Sequence, residues 1–404
     1  MQLLRTLSIA GLVLATIALI FLAGFGTHAL ITGSGRDPLS VASVGFAETQ
    51  ADLQDTDFDV FWEAWHILQR DFFGDQPDTQ HRTYGAIQGL AQEYEDPYTY
   101  FIEPQPRQRE REELSGEFGG IGAWVTRDES GNIRLDPMPD RPADRAGIEK
   151  EDILVSVDDT TIQPDMTADD VVALIRGPVG EQVSLQIRRG DEPALLTMAI
   201  ARERLETPSV EWRMLEEVPQ VGYVAISLFS DRTANELDQA LTELRDQEAR
   251  HLIVDLRNNS GGLLQASVDV ASRFLKDGVV LFEHHSDGSE QTFRVSGGNK
   301  APNWPMAILV DGATASAAEI VAGALQDRAR AKLIGEKTFG KGSVQLVHDL
   351  SDGSSIHVTV ARWLTPNGHE INEIGLTPDL EVSHEDERDA PLEEAIKHLL
   401  NQQG

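Results

Sequence analysis

The chain has 404 residues, enough for two to three domains, and its 40% apolar content supports a sizeable core and not global disorder. A net charge of −33 repels phosphate backbones and anionic head groups, which argues against nucleic acid as a partner. The absence of Cys removes disulfides, thiol catalysis and Cys-ligated zinc together.

The first element is an apolar run. No Asp, Glu, Lys or Arg occurs between Arg5 and Arg36, and residues 7–31 are largely Leu, Ile, Ala, Val, Phe and Gly. A helix of that length crosses a hydrocarbon layer of about 30 Å. A cleaved signal has an apolar region of only about 7–15 residues with a small-residue cleavage site close behind, and Thr27-His28-Ala29 is a poor one. The expectation is a membrane anchor in residues 1–35 with the rest of the chain exported; secretion after signal cleavage is the alternative. Residues 36–56 are small, polar and acidic and read as a linker.

Phe58, Phe61, Trp62, Trp65, Leu68 and Phe72 then recur at helical spacing, and a second helix is expected over 84–94, before the turn Asp96-Pro97-Tyr98. Together they predict a small helical domain over 57–114 with the aromatics as its core. Residues 115–204 have a different pattern. Short strand-like runs at 122–125, 153–157, 183–187 and 194–200 surround helical pieces at 143–147 and 168–176, the latter stopped by Gly177-Pro178. From about 216 strands and helices alternate: 221–226, 251–256 and 306–310 as strands, 234–247, 264–275 and 317–328 as helices. That alternation predicts parallel βαβ units in a core spanning 205–385, followed by a C-terminal helix within 386–404. The predicted class is mixed α/β and multidomain: an N-terminal membrane helix, a small helical domain, a β-rich domain, then the βαβ core.

The chemistry concentrates in three segments of that core. Residues 307–310 form a buried strand, and 311–319 turn from it into a helix, so Ser316 falls at or near the N-cap. Ser with Glu319 three residues on is a capping box, a sufficient structural role by itself. A hydroxyl at such a turn also stands beside free helix N–H groups that stabilise an oxyanion. The neighbours of Ser316 break the Gly-x-Ser-x-Gly elbow, and none of the eleven His lies in a segment that converges on it. Lys341, between Gly340 and Gly342, is the better base: glycines allow close approach, and a buried amine loses its proton near neutrality. A Ser–Lys dyad then needs no His. Gly335, Gly340 and Lys341 also fit a phosphate-binding loop. Gly342 stands where Ser or Thr would hold magnesium, and 344–347 reads as a strand where a helix is required, so a nucleotide site is rejected. The third segment, 252–262, is a buried strand ending in Gly261-Gly262, at the strand edge where α/β sheets place ligands.

Asp255-Leu256-Arg257-Asn258-Asn259-Ser260-Gly261-Gly262, Ala315-Ser316-Ala317-Ala318-Glu319-Ile320 and Gly340-Lys341-Gly342-Ser343-Val344-Gln345, in this order, resemble the motifs of the carboxyl-terminal processing peptidases, tail-specific serine proteases. The similarity covers about residues 55–380. It implies Ser316 as nucleophile, Lys341 as base, Gln345 positioning Lys341, Glu319 in support, and the N–H groups of Gly262 and Ala317 as oxyanion hole. It implies cleavage of protein substrates near their C-termini with no metal or organic cofactor. Residues 115–204 resemble a PDZ domain, with Phe118, Gly119, Gly120, Ile121 and Gly122 in the loop that would capture a terminal carboxylate. Arg176, at the end of the PDZ helix, stands where relatives can couple capture to the active site. Glu151-Asp152, Asp158-Asp159 and Ser260 depart from the family pattern. Expected partners are proteins with accessible C-termini and, through the first helix, a membrane. The terminal helices also offer surfaces for a homodimer. Two competing readings are a non-catalytic PDZ scaffold and a Ser–Lys hydrolase of small molecules; the intact dyad argues against the first and the peptide-capturing module against the second.

Overall fold

The computed structural model describes residues 58–190, 194–297, 301, 303–384 and 388–401. The apolar run 7–31 and the linker lie outside the described residues. Among the described residues no helix is long and apolar enough to cross a membrane. The chain divides into two compact units between Asp78 and Thr79.

In the first unit, the aromatic stretch forms the helix Asp59–Asp71, and it departs from expectation in one respect: none of its residues is buried. Phe61, Trp62 and Trp65 contact one another edge-on or tilted, with centroids 5.1–6.1 Å apart. Helical spacing brings such rings together, but among the described residues of this unit no second layer buries them.

The second unit begins at the helix Thr79–Gln92, and it revises the predicted 57–114 domain. Strand Tyr100–Ile102 pairs antiparallel with Ser355–Leu364, some 250 residues further on. Residues 79–114 therefore belong structurally with the core. Helix Pro104–Ser115 follows, with Pro in its first turn and Gly116 closing it in the left-handed region.

The β-rich region is a six-stranded antiparallel sheet of strands Ala123–Arg127, Ile133–Pro137, Asp152–Val157, Thr160–Thr161, Gln182–Arg188 and Leu195–Ala201. Strand Gln182–Arg188 alternates cleanly, with Val183, Leu185 and Ile187 fully buried. Helix Ala168–Ile175 is capped by Thr167 and Asp170 in a reciprocal box. Residues 117–120, expected as loop, are instead the strand Glu117–Gly120, paired with Glu203–Glu206.

The core sheet bears out the βαβ reading. Strands Val221–Ile226, His251–Asp255, Met306–Val310, Lys332–Gly335 and Leu380–Glu381 run parallel side by side, with Val210–Met214 antiparallel at one edge. Every residue of His251–Asp255 and Met306–Val310 is buried, as strands covered on both faces must be. Helices Thr233–Asp246, Leu264–Phe274 and Ala317–Asp327 cover one face through Leu237, Phe274 and Val321. The terminal helix Ala390–Asn401 covers the other, placing Ala395 and Leu399 against Ile253, Leu309 and Ile334. Its apolar face is thereby spent inside its own chain. A second sheet, built on the long strand Ser355–Leu364 with Ser343–Asp349, Val279–His285 and Glu290–Arg294, stands beside the first.

Candidate active site

Strand Met306–Val310 delivers the chain to Ser316, the N-cap of helix Ala317–Asp327. Ser316 has φ 53° and ψ −117°, a conformation that costs a residue with a side chain about 1–3 kcal/mol. The turn is held by its neighbours. Thr314 donates its hydroxyl to the Leu256 carbonyl at 2.9 Å, and the Ala315 N–H donates to the Asn259 carbonyl at 2.9 Å. Asn259 is wholly buried; its amide donates to the Ile226 carbonyl at 2.7 Å and its oxygen accepts from Gly261 N–H at 2.9 Å. One side chain therefore ties strand Val221–Ile226 to the glycine loop. A Cβ on Gly261 would lie 2.8 Å from Ser316 Cβ, and one on Gly262 2.3 Å from the Phe229 carbonyl oxygen, so both positions require glycine. Among the described residues the N–H groups of Gly262 and Ala317 have no protein acceptor. Both residues line one cavity of about 270 Å³ with Ser316, Lys341 and Gln345.

Glu319 organises this site. Its carboxylate is fully buried on the helix side of Ser316. One oxygen, Oε2, accepts from Ser316 N–H and from Lys341 N–H, each at 2.9 Å. The two backbone nitrogens therefore lie within twice that distance of each other. The other oxygen accepts from the Thr338 hydroxyl at 2.5 Å and Gly340 N–H at 2.8 Å. Burial pushes the Glu319 carboxyl up, against the pull of these four donors. The predicted capping residue is thus also the bridge between nucleophile turn and lysine loop, a role the i, i+3 spacing could not reveal.

Lys341 precedes strand Ser343–Asp349, whose strand conformation agrees with the rejection of a phosphate loop. Its carbonyl accepts from the Trp363 indole N–H at 3.0 Å. Burial lowers the Lys341 ammonium below the usual lysine value, while Asp96 and Glu110 pull it back up. The ammonium nitrogen sits 4.9 Å from the centroid of the Tyr98 ring. Gln345 donates to Ser343 Oγ at 2.8 Å and Thr359 Oγ1 at 3.2 Å, so its amide serves the neighbouring strand pair and not the lysine amine. Leu263, Leu264, Ile320, Val344 and Trp363 contribute apolar lining to the cavity, and Glu110 and His357 contribute polar lining.

The capture-loop residues lie elsewhere. Gly119, Gly120, Ile121 and Gly122 are buried, and Phe118 is half-buried under the Arg176 guanidinium, 4.0 Å above its ring. Ile121 and Gly122 accept backbone hydrogen bonds from Ala143 and Met138; their own N–H groups have no protein acceptor among the described residues. Ala123–Arg127, next along the chain, is an edge strand. A groove of about 320 Å³ is lined by Phe118, Gly119, Gly177 and Val179 with Arg111 and Arg204. Asp255 and Arg257 lie away from the catalytic cavity: Arg257 pairs with Asp255 at 2.6 Å and with Asp389 at 2.7 Å, and Asp255 accepts from the Tyr223 hydroxyl at 2.6 Å.

A serine on a strained strand-to-helix turn and a lysine whose burial lowers its ammonium pKa line one cavity, and these are the groups from which histidine-free serine hydrolases are built. Comparison with known proteins places the chain more narrowly. Residues 220–382 match the model of peptidase family S41, and residues 134–189 match a PDZ domain model. A carboxyl-terminal-processing protease of Synechocystis sp. is 34% identical over 321 residues, 78% of this chain and 75% of its own. A probable CtpA-like serine protease of Staphylococcus epidermidis is 36% identical over 322 residues, 79% of this chain and 64% of its own. The solved structure of a photosystem II D1 C-terminal processing protease is 32% identical, covers 84% of this chain and 90% of its own, and superposes with a TM-score of 0.47. The chain belongs to the carboxyl-terminal processing peptidases, serine-type enzymes of family S41.

Proposed function

We propose that this chain is an endopeptidase that cleaves protein substrates near their C-termini through an acyl-enzyme formed on Ser316. The observation that carries the reading is the Glu319 carboxylate, one oxygen of which holds both the Ser316 and the Lys341 backbone beside a shared cavity. Neutral Lys341 takes the proton of Ser316 Oγ–H as the oxygen attacks the scissile carbonyl. The resulting oxyanion is met by the Gly262 and Ala317 N–H groups. The C–N bond then breaks, and the leaving amine takes the proton back from the lysine ammonium. Water, deprotonated by the Lys341 amine, attacks the acyl carbon, the bond from Ser316 Oγ to the acyl group breaks, and the lysine ammonium returns the proton to Oγ.

The PDZ domain supplies the substrate. A C-terminal carboxylate meets the open N–H groups at Ile121 and Gly122, and the extended peptide adds to the edge strand Ala123–Arg127. Exported proteins are the proposed substrates, on the ground of the apolar run at 7–31.

The experiment offers the full chain an unstructured protein with an apolar C-terminus and the same protein ending in charged residues, with mass spectrometry reading the cuts. Cleavage of the first, weaker cleavage of the second, and loss of both in Ser316→Ala and Lys341→Ala are expected. A Ser316→Ala protein that cuts at the wild-type rate refutes the mechanism. Equal cutting of both substrates refutes capture by the PDZ domain.

A further inference from the structure

We propose that the turn Asp96-Pro97-Tyr98 is a positioning element of the active site, which seats the Lys341 amine on the Tyr98 ring and directs it to the cavity holding Ser316. The inference rests on the Ser–Lys reading above and extends it to a segment some 240 residues earlier in the chain.

Three observations carry it. The Lys341 nitrogen lies 4.9 Å from the Tyr98 ring centroid, within the range in which an aromatic face attracts an ammonium. Among the described residues no hydrogen bond or ion pair holds that nitrogen, so the ring is its specific protein contact. The turn itself is stapled in place. Asp96 accepts from Tyr98 N–H at 3.2 Å and from the Thr99 hydroxyl at 2.7 Å, and Thr99 Oγ1 accepts from Thr359 N–H at 3.1 Å. Thr359 lies opposite Gln345 in the adjoining strand and accepts from its amide. The tyrosine is thus tied to the pair of strands that begins two residues after the lysine.

The chemistry of the step explains why a ring suits this place. A carboxylate in contact would hold the amine permanently protonated and useless as a base. An amine with no stabilising neighbour would be too weak a base to take the serine proton. A ring face lies between these extremes: it favours the ammonium modestly, and most when that charge appears as the proton moves from Ser316 Oγ to Lys341 Nζ. Charged and titratable groups surround the lysine and its tyrosine on the elements packed around them. They are Asp96 in the turn, Glu110 on helix Pro104–Ser115, Glu319 on helix Ala317–Asp327, Glu373 beside Tyr98, and His357, 3.3 Å from Glu110, on strand Ser355–Leu364.

The test uses the full chain carrying Tyr98→Leu, Tyr98→Phe or Asp96→Asn. Two readouts are taken: the pH profile of kcat/KM on an unstructured protein, and, in a Ser316→Ala background, the pH profile of Lys341 acetylation by acetic anhydride, quantified by peptide mass mapping. Tyr98→Leu is expected to lower the midpoint of both profiles by about half to one pH unit. Tyr98→Phe restores the midpoint because it retains the ring, and Asp96→Asn shifts it in the same direction as Tyr98→Leu. A Tyr98→Leu labelling midpoint that coincides with the parent overturns the proposal. Should Tyr98→Leu fail to fold, Tyr98→Met decides by the same criterion. Labelling is independent of turnover, so an active Lys341→Ala protein would remove the dyad while the labelling midpoint still decides the contact.

Discussion

Replacing Glu319 by Gln changes one atom and probes the centre of the site. Each oxygen of the carboxylate accepts two hydrogen bonds: Ser316 and Lys341 N–H on one, Thr338 Oγ–H and Gly340 N–H on the other. An amide keeps one acceptor. Its NH2 group must face a pair of donors, and whichever pair it faces loses its acceptor in a buried site. Two stranded donors at about 1–3 kcal/mol each give about 2–6 kcal/mol. Part of this is returned because the desolvation cost of the buried carboxylate, visible in its raised pKa, disappears. The expected net destabilisation is about 2–4 kcal/mol, which for a chain this large lowers Tm by roughly 2–6 °C. Activity should fall further than stability. Releasing either Ser316 or Lys341 from their common oxygen displaces the reacting pair, and a displacement of about 1 Å costs on the order of a hundredfold in rate. Thermal unfolding followed by circular dichroism, beside hydrolysis of an unstructured protein well below Tm, reads both effects. A Glu319→Gln protein that unfolds within a degree of wild type and keeps half its activity refutes the bridge.

Burial dominates the Lys341 environment and lowers its pKa. Because the neutral amine is the base, kcat/KM should rise with pH to a midpoint below the usual lysine value; a midpoint of 10.5 or higher contradicts the desolvated base. Gly262→Ala places a methyl group against the Phe229 carbonyl and turns the oxyanion donor aside; kcat should drop about 10²–10³-fold with a smaller change in KM, measured by steady-state kinetics. Asn259→Ala strands the Ile226 carbonyl and Gly261 N–H, and a loss of about 2–3 kcal/mol in urea unfolding is expected, with activity falling in parallel. Leu399→Ala empties a fully buried site under the core sheet and should cost about 2–4 kcal/mol while leaving kcat near wild type at a temperature where the fold persists.

Much of this protein is written locally. Period-two runs bounded by turns placed most strands of the PDZ region, and strands such as 221–226 and 306–310 were legible to the residue because continuous apolar runs are what a doubly covered parallel sheet demands. Ser316, Glu319 and Gly262 stood out because a strand-to-helix turn limits which residues fit it. Strand Tyr100–Ile102 was not legible, since its partner is Ser355–Leu364 and a three-residue strand has no period of its own. The exposed aromatics of Asp59–Asp71 misled for the opposite reason: spacing states which residues share a face, not what covers it.

What the sequence determined by itself was the set of chemical groups and the local turns that present them, because capping, glycine geometry and apolar periodicity act over a few residues. What only the tertiary structure decided was their conjunction: a carboxylate joining two loops, a glycine loop locked by Asn259, a tyrosine from the start of the unit lying under a lysine near its end. Those contacts depend on the packing of sheets whose strands are far apart in the chain, and no local pattern encodes a distance across a fold.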